Sequence, residues 1–496
     1  MPGGGIQHDA MKIPPLALLL ALQASALLPA HADEALTLGD SLTYAYEGEF
    51  CFRVTIPFGA TYGDNMPATV RNWIETLGSA TYRSGSFAQG NRVTFNLNFS
   101  PFGSNYTLLL RNRYNWAIPG LKVDQMRQFV LGEKTFLQIL EADPDFSPLA
   151  TALKSSASNF NETTMFNVTE MNDQITNSAE RVVFFIGGND VRTIYGTVYN
   201  GGSAGTFVDD FIADATVILD RIRTLKPNIQ IVVVAVPHIG ITPDIKADFP
   251  TDAVKTPRVT AVVRELNTRL QALAVQKNAG FADIFTPTLS LIDSASYGIQ
   301  GIAYNNTGTT TGDQGSIWLN GQFSANFHPN TNAQLIIANE IIRAFNKKYN
   351  TGIAPLSATE MLITRLGKTA AEADMSFPNW MTGYGLTGGT EASDADHDGI
   401  PAGVEFALGL NPTLFDSDQV SSSLVSGNTQ LELAYPKRLT SSTHYTLDAR
   451  SAATLGGAFT PLAPQPTIGS DGMFRARIPV SGGAKGFLRL NSQTAP

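Results

Sequence analysis

The run "LTLGDSLTY", Leu36 to Tyr44, is an apolar strand-like stretch that stops at Gly39-Asp40 and delivers Ser41. A serine hydroxyl is a poor nucleophile at neutral pH until a base removes its proton and donors stabilise the oxyanion that forms. Three later stretches hold groups of those kinds. "YNWAIPG" ends at Gly120, where a residue without a side chain brings its backbone N–H close to a bound ester. "FFIGGND" ends a buried apolar run in Gly187-Gly188-Asn189-Asp190, so the Asn189 amide projects beyond the strand. "FSANFHPN" sets His328 directly before Pro329; because proline suits the first turn of a helix, His328 is expected in the preceding loop with its ring free. Gly-Asp-Ser-Leu alone is only a turn-like tetrapeptide, and the ordered set of four blocks carries the argument.

A second constellation calls for different chemistry. "DADHDGIPAGVE", Asp394 to Glu405, fits D-x-D-x-D-G-x5-E, with oxygens at loop positions 1, 3, 5 and 12 and the turn glycine, Gly399, at position 6. That spacing wraps a hard cation. Ca²⁺ is the expected ion, a structural one, held by Asp394, Asp396, Asp398, the Ile400 carbonyl and Glu405. Asp416 and Asp418 in "NPTLFDSD" are further candidate ligands. The stretch resembles the calcium loops of EF-hand, dockerin and thrombospondin type 3 sequences; the plainer alternative is an acidic, solvated turn. A lone loop at a domain junction is expected to stiffen the junction rather than sense calcium.

The elements that must position these residues follow from periodicity. "RVVFFIGG" and "IQIVVVAVP" are nearly continuous β-branched or aromatic runs, as strands buried on both faces require. Between them, Phe207, Phe211, Ile212, Val217, Ile218, Ile222 and Leu225 recur near helical spacing. The alternation predicts an α/β domain with a parallel sheet, further helices over "TPRVTAVVRELNTRLQALAVQ" and from about Thr331 to Lys348, and a short strand at "FADIF". Ligands of such sheets bind at the carboxyl edge. An alternating run, "RVTFNLNF", followed by "PFGSN" and "YTLLLRNRY", predicts a β-hairpin that could wall a pocket.

The order Gly39-Asp40-Ser41-Leu42, Gly120, Gly187-x-Asn189-Asp190 and His328-Pro329 resembles the GDSL, or SGNH, hydrolase family, over roughly Ala35 to Lys348. The resemblance implies a three-layer α/β/α, flavodoxin-like fold, no cofactor for catalysis, and hydrolysis of esters or thioesters of lipids, acylated sugars or small alcohols. It makes Ser41 the nucleophile and His328 the general base, with the Ser41 and Gly120 N–H groups and the Asn189 side chain as oxyanion hole. The chain departs from the family at Ala325, where an Asp three residues before the His usually holds its ring. Three readings follow: a backbone carbonyl near Ser324 to Asn326 orients the ring, or Asp313 in "TGDQGS" does, or the site has decayed and the fold serves as a glycan- or surface-binding protein. His238, in "AVPHIG", is expected as part of a loop wall.

Composition bounds the rest. The 496-residue chain carries a net charge of -9 without a Lys/Arg cluster, which excludes a nucleic-acid partner. "MKIPPLALLLALQASALLPAHA" reads as a secretory signal cut after Ala32, with residues 1–10 an upstream mis-start, so the mature protein is expected to be secreted or periplasmic without a transmembrane segment. Cys51, the single cysteine, excludes an intrachain disulfide and lies in packed apolar sequence, "EFCFRV". The expected organisation is a hydrolase domain over 33–350, a linker over 351–393 with a short helix ahead of its Gly- and Thr-rich stretch "GYGLTGGTEAS", a calcium-loop segment over 394–418 and a small all-β, sandwich-like domain over 419–496. For the substrate, the aromatic hairpin suits an acyl chain, and export with an appended β domain suits acylated polysaccharide.

Overall fold

The computed structural model describes residues 33–47, 69–99, 104–144, 147–156, 160–310, 314–320, 326–469, 472–480 and 486–494. The expected signal segment, Cys51 and Asp313 lie outside the described residues.

Strand β1 (Glu34–Gly39) is followed by an antiparallel hairpin, β2 (Arg92–Phe99) and β3 (Ser104–Asn112). Strands β4 (Ala179–Phe185), β5 (Gln230–Val234) and β6 (Gly280–Ala282) complete a four-stranded parallel sheet in the order β1-β4-β5-β6. In β4 and β5, residues 182–185 and 231–234 are all buried, so the alternating side chains of both faces are covered. The helices are the cover. In helix Thr256–Gln276, Val259, Val263, Leu266, Leu270 and Leu273 form one buried stripe. In helix Phe207–Leu225 the stripe is Phe211, Ala215, Ile218 and Ile222, and Val217 falls off it and is exposed, since a 100° turn per residue carries position 217 to the outer face. The expected strand at "FADIF" ends early: only its first two residues continue β6, and Phe285–Leu289 turns into a short helix.

Strands β7 (Ser296–Ile299), β8 (Ile302–Thr310) and β9 (Ser316–Leu319) make a separate small sheet. Residues 351–393 are structured despite their linker-like composition. Short helices at Thr359–Arg365 and Phe377–Gly383 bury Met361, Leu362, Trp380 and Met381. Beyond them lie two three-stranded antiparallel sheets. One has the order β10 (Ser421–Val425), β11 (Gln430–Tyr435), β14 (Phe474–Pro479); the other has β13 (Thr460–Pro461), β12 (Tyr445–Ala452), β15 (Phe487–Thr494). Leu410, Tyr435, Ala449 and Ala476 form their shared core. No helix among the described residues is long and apolar enough to cross a membrane.

Candidate active site

The parallel sheet ends where the chemistry-bearing residues gather. β1 leads into a turn in which Thr43 and Tyr44 donate their amides to the Asp40 carbonyl, leaving Ser41 at the carboxyl edge. Gly39 is required here: an added Cβ would lie 2.4 Å from the Phe185 carbonyl oxygen of the neighbouring strand. The segment around Gly120 arrives by running parallel to the outer edge of β1. Thr37 donates to the Tyr114 carbonyl, and the Trp116 and Ile118 amides donate to Thr37 and Gly39. Buried Asn115 stitches this segment to the turn, accepting from the Thr37 hydroxyl at 3.0 Å and donating to the Thr43 carbonyl at 2.9 Å. Gly120 then turns with φ of +76°, a conformation that favours glycine.

His328 comes from the far end of the fold. It lies in the loop ahead of helix Thr331–Tyr349, and its carbonyl accepts the Leu319 amide, which pins that loop to β9. Asn330 caps helix Thr331–Tyr349, which places Pro329 ahead of the helix instead of in its first turn. Tyr46 supports this segment by donating its hydroxyl to the Pro329 carbonyl at 3.0 Å, with its ring edge-on to the imidazole. The result is a contact of 2.6 Å between His328 Nε2 and Ser41 Oγ, across 287 residues of sequence. Both side chains are nearly buried, at 5% and 6% exposure. Asn326, with φ of +53°, offers its carbonyl to the Asp244 amide at 3.2 Å.

On the other side, Gly187 adopts φ of +131° and Asn189 opens helix Gly188–Tyr199. The Asn189 amide donates one N–H to the Leu121 carbonyl at 3.2 Å. A primary amide has two such hydrogens, so one remains for a ligand. Two carboxyls that sequence reasoning left without a role hold these loops together. Asp40 accepts the Leu42 amide at 3.0 Å and faces the Gly187 and Gly188 amides, whose dipoles lower its pKa, so that it links the Ser41 turn to the Asn189 turn. Asp190 accepts the Val123 amide at 3.1 Å, tying the Asn189 turn to the segment after Gly120. Burial pushes each up to about 7 against the pull of these amides, and Asp40 further raises Asp190. Both stood inside quoted motifs; the signal was an acid placed where a strand-end turn leaves amides unpaired.

An apolar cavity of about 90 Å³ abuts the pair, walled by Leu42, Phe327, Pro329, Trp318, Ile337 and His238; neither Ser41 nor His328 lines it. His238 Nε2 contacts the Thr260 hydroxyl at 3.0 Å, and burial lowers its pKa to about 4. Among the described residues none from the hairpin lines this cavity, and Phe95 is buried edge-on to Phe160 at 6.2 Å.

The acidic loop assembles elsewhere. Carboxylate oxygens of Asp394, Asp396 and Asp398 lie within 4.8 Å of one another, as do those of Asp398, Glu405 and Asp416. The Ile400 amide closes the turn on Asp398 at 2.8 Å. Asp418 stands apart, bonded to Arg343 and Lys347.

The profile of the GDSL-like lipase/acylhydrolase family matches residues 36–341, and the chain belongs to that family, whose members act on acyl esters. Among solved structures, the chain is similar to an extracellular lipase from Streptomyces rimosus (14% identity, 63% of this chain and 100% of that one, TM-score 0.31). It is also similar to phospholipase A1 from Streptomyces albidoflavus (13% identity, 64% and 99%, TM-score 0.30) and to an acetyl xylan esterase variant from Geobacillus stearothermophilus (14% identity, 64% and 94%, TM-score 0.28). No curated protein matches.

Proposed function

We propose that the protein is an exported serine ester hydrolase that works through a Ser41 acyl-enzyme. The observation that carries this reading is the 2.6 Å contact between Ser41 Oγ and His328 Nε2. In the first half-reaction His328 takes the Ser41 proton as Oγ attacks the ester carbonyl carbon. The oxyanion is met by the Ser41 and Gly120 amides and the remaining Asn189 N–H. Collapse breaks the bond to the alcohol oxygen, which leaves with the proton from His328. Water then attacks the acyl carbon, His328 takes its proton, and Ser41 is regenerated as the free acid departs. No metal or cofactor takes part in these steps.

The retained pair, with its amide-tied loops, favours catalysis over a decayed binding fold. Export rests on the signal-like residues 11–32. In the same reading the hydrolase domain spans 33–350, the acidic loop over 394–418 holds a structural calcium ion, and residues from 419 form an accessory β domain. The substrate is an acyl ester of a lipid or a carbohydrate.

The test is hydrolysis of p-nitrophenyl acetate and octanoate by residues 33–496. Ser41→Ala and His328→Ala should each lower kcat by on the order of 10⁴-fold or more with unchanged circular dichroism. Wild-type protein that is folded and inert toward both esters would sink the reading.

A further inference from the structure

The acidic loop differs from an ordinary solvated turn in what its oxygens lack. Glu405 is fully buried on helix Ala402–Leu408, and neither of its carboxylate oxygens has a hydrogen-bond partner. Asp394 Oδ1, Asp396 Oδ2 and Asp416 Oδ1 are likewise buried and unpartnered. The second oxygen of each aspartate is engaged, and those bonds fix its direction. Asp394 Oδ2 accepts the Gly399 amide, Asp396 Oδ1 the Asp398 amide, and Asp416 Oδ2 the Asn411 amide, all at 3.0–3.2 Å. Five bare oxygens from four carboxylates therefore share one interior with Asp398. An uncompensated buried carboxylate is strongly unfavourable, and several together add mutual repulsion. A fold that buries them needs a cation.

We propose that Asp416, which lies outside the twelve-residue template, closes this loop into a Ca²⁺ cage and that the bound ion fastens the loop to the helix following His328. The proposal rests on the reading of the loop as a calcium site and extends it. Calcium takes six to eight oxygens. Asp394, Asp396, Asp398, the Ile400 carbonyl and a bidentate Glu405 supply six, and Asp416 Oδ1 makes a seventh. Asp416 is 4% exposed, and its own amide donates to Asp398 Oδ2 at 3.1 Å, so its segment is already docked on the loop. Two residues on, Asp418 receives Arg343 at 2.5 Å and Lys347 at 3.3 Å, both from helix Thr331–Tyr349. Arg343 also reaches the Phe415 carbonyl at 3.4 Å. The ion, the 411–419 segment and that helix form one chain of contacts. The hard, all-oxygen donor set without nitrogen or sulfur favours Ca²⁺ over transition metals.

The experiment is calorimetric titration of chelator-stripped residues 33–496 with CaCl₂, beside melts in calcium and in chelator. Wild type should take up one Ca²⁺ per chain at this site and gain on the order of 5 °C at saturation. Asp416→Asn should bind at least about tenfold more weakly. Asp418→Asn should keep the affinity and the calcium-dependent gain, and melt below wild type in both calcium and chelator. Hydrogen exchange of the wild type gives a readout that needs no variant: calcium should slow amides across 411–419 as well as 394–405. Uptake with Asp416→Asn at wild-type affinity, or protection confined to 394–405, would overturn the proposal and leave the simple loop standing. No uptake by folded wild type would remove both, while ester hydrolysis through Ser41 would be untouched.

Discussion

Buried carboxylates occur at two ends of this molecule, and they are treated in opposite ways. Around Ser41, Asp40 and Asp190 are buried among backbone amides that point at them. Around Glu405, the free oxygens face one another. The same chemical group is thus partly served by protein donors in one place and dependent on an outside cation in the other. At the first, backbone donors at strand ends are fixed by the fold and cost nothing further to orient. At the second, a short loop has too few donors left, and repulsion from Asp396, Asp416, Asp398 and Asp394 adds to burial in raising Glu405 to about 9.

The contrast can be broken most forcefully at Asp190. Asp190→Ala removes the acceptor of the Val123 amide and frees the segment that carries Gly120, so kcat on p-nitrophenyl acetate should fall on the order of 10²-fold. Calcium should not restore it. A rate within about twofold of wild type would show that the Asp190 tie is packing alone.

The pH dependence of stability separates the two ends more finely. Asp40 and Asp190 titrate near 7 in the fold against 3.8 for a free aspartate. The native state therefore holds extra protons between those values. The stability this contributes is complete below about pH 4 and is lost as pH rises to about 7. Urea melts of the calcium-loaded protein should show a fall of about 4 kcal/mol for each aspartate over that range, and Asp190→Asn should remove roughly half of it. A flat wild-type profile would mean that the amides fully offset burial.

The smallest effect is a change of sign at Glu405. In chelator, Glu405→Gln should melt a few degrees above wild type, because wild type must take up a proton to bury this carboxyl and glutamine need not; in calcium it should melt below. A variant that is less stable in both conditions would place Glu405 with Asp40 and Asp190, as a carboxylate already served by the protein.

Much of this architecture is visible in the sequence. The runs at Val182–Phe185 and Ile231–Val234 are apolar on both faces, so a covered parallel sheet follows from side-chain period alone. The stripe in Thr256–Gln276 and the hairpin over 92–112 are equally local. Glycine at 39, 120 and 187 marks the turns. Residues 351–393 were misleading because their Gly and Thr content masks isolated large apolar residues, such as Trp380, whose burial depends on partners beyond the segment like Phe406. The roles of Asp40 and Asp190 were illegible for a related reason: which amides they meet depends on how three strand-end turns converge.

The sequence by itself determined the elements, the order of the four motif blocks and the spacing of the acidic loop, because each depends on residues a few positions apart. Tertiary structure alone decided that His328 Nε2 meets Ser41 Oγ, that Asp40 joins two turns, and that Asp416 faces Glu405 while Asp418 faces Arg343. Asp416 and Asp418 are two residues apart and chemically identical. Local pattern cannot tell them apart, since the surroundings that separate them come from helices Ala402–Leu408 and Thr331–Tyr349, more than fifty residues apart in the chain.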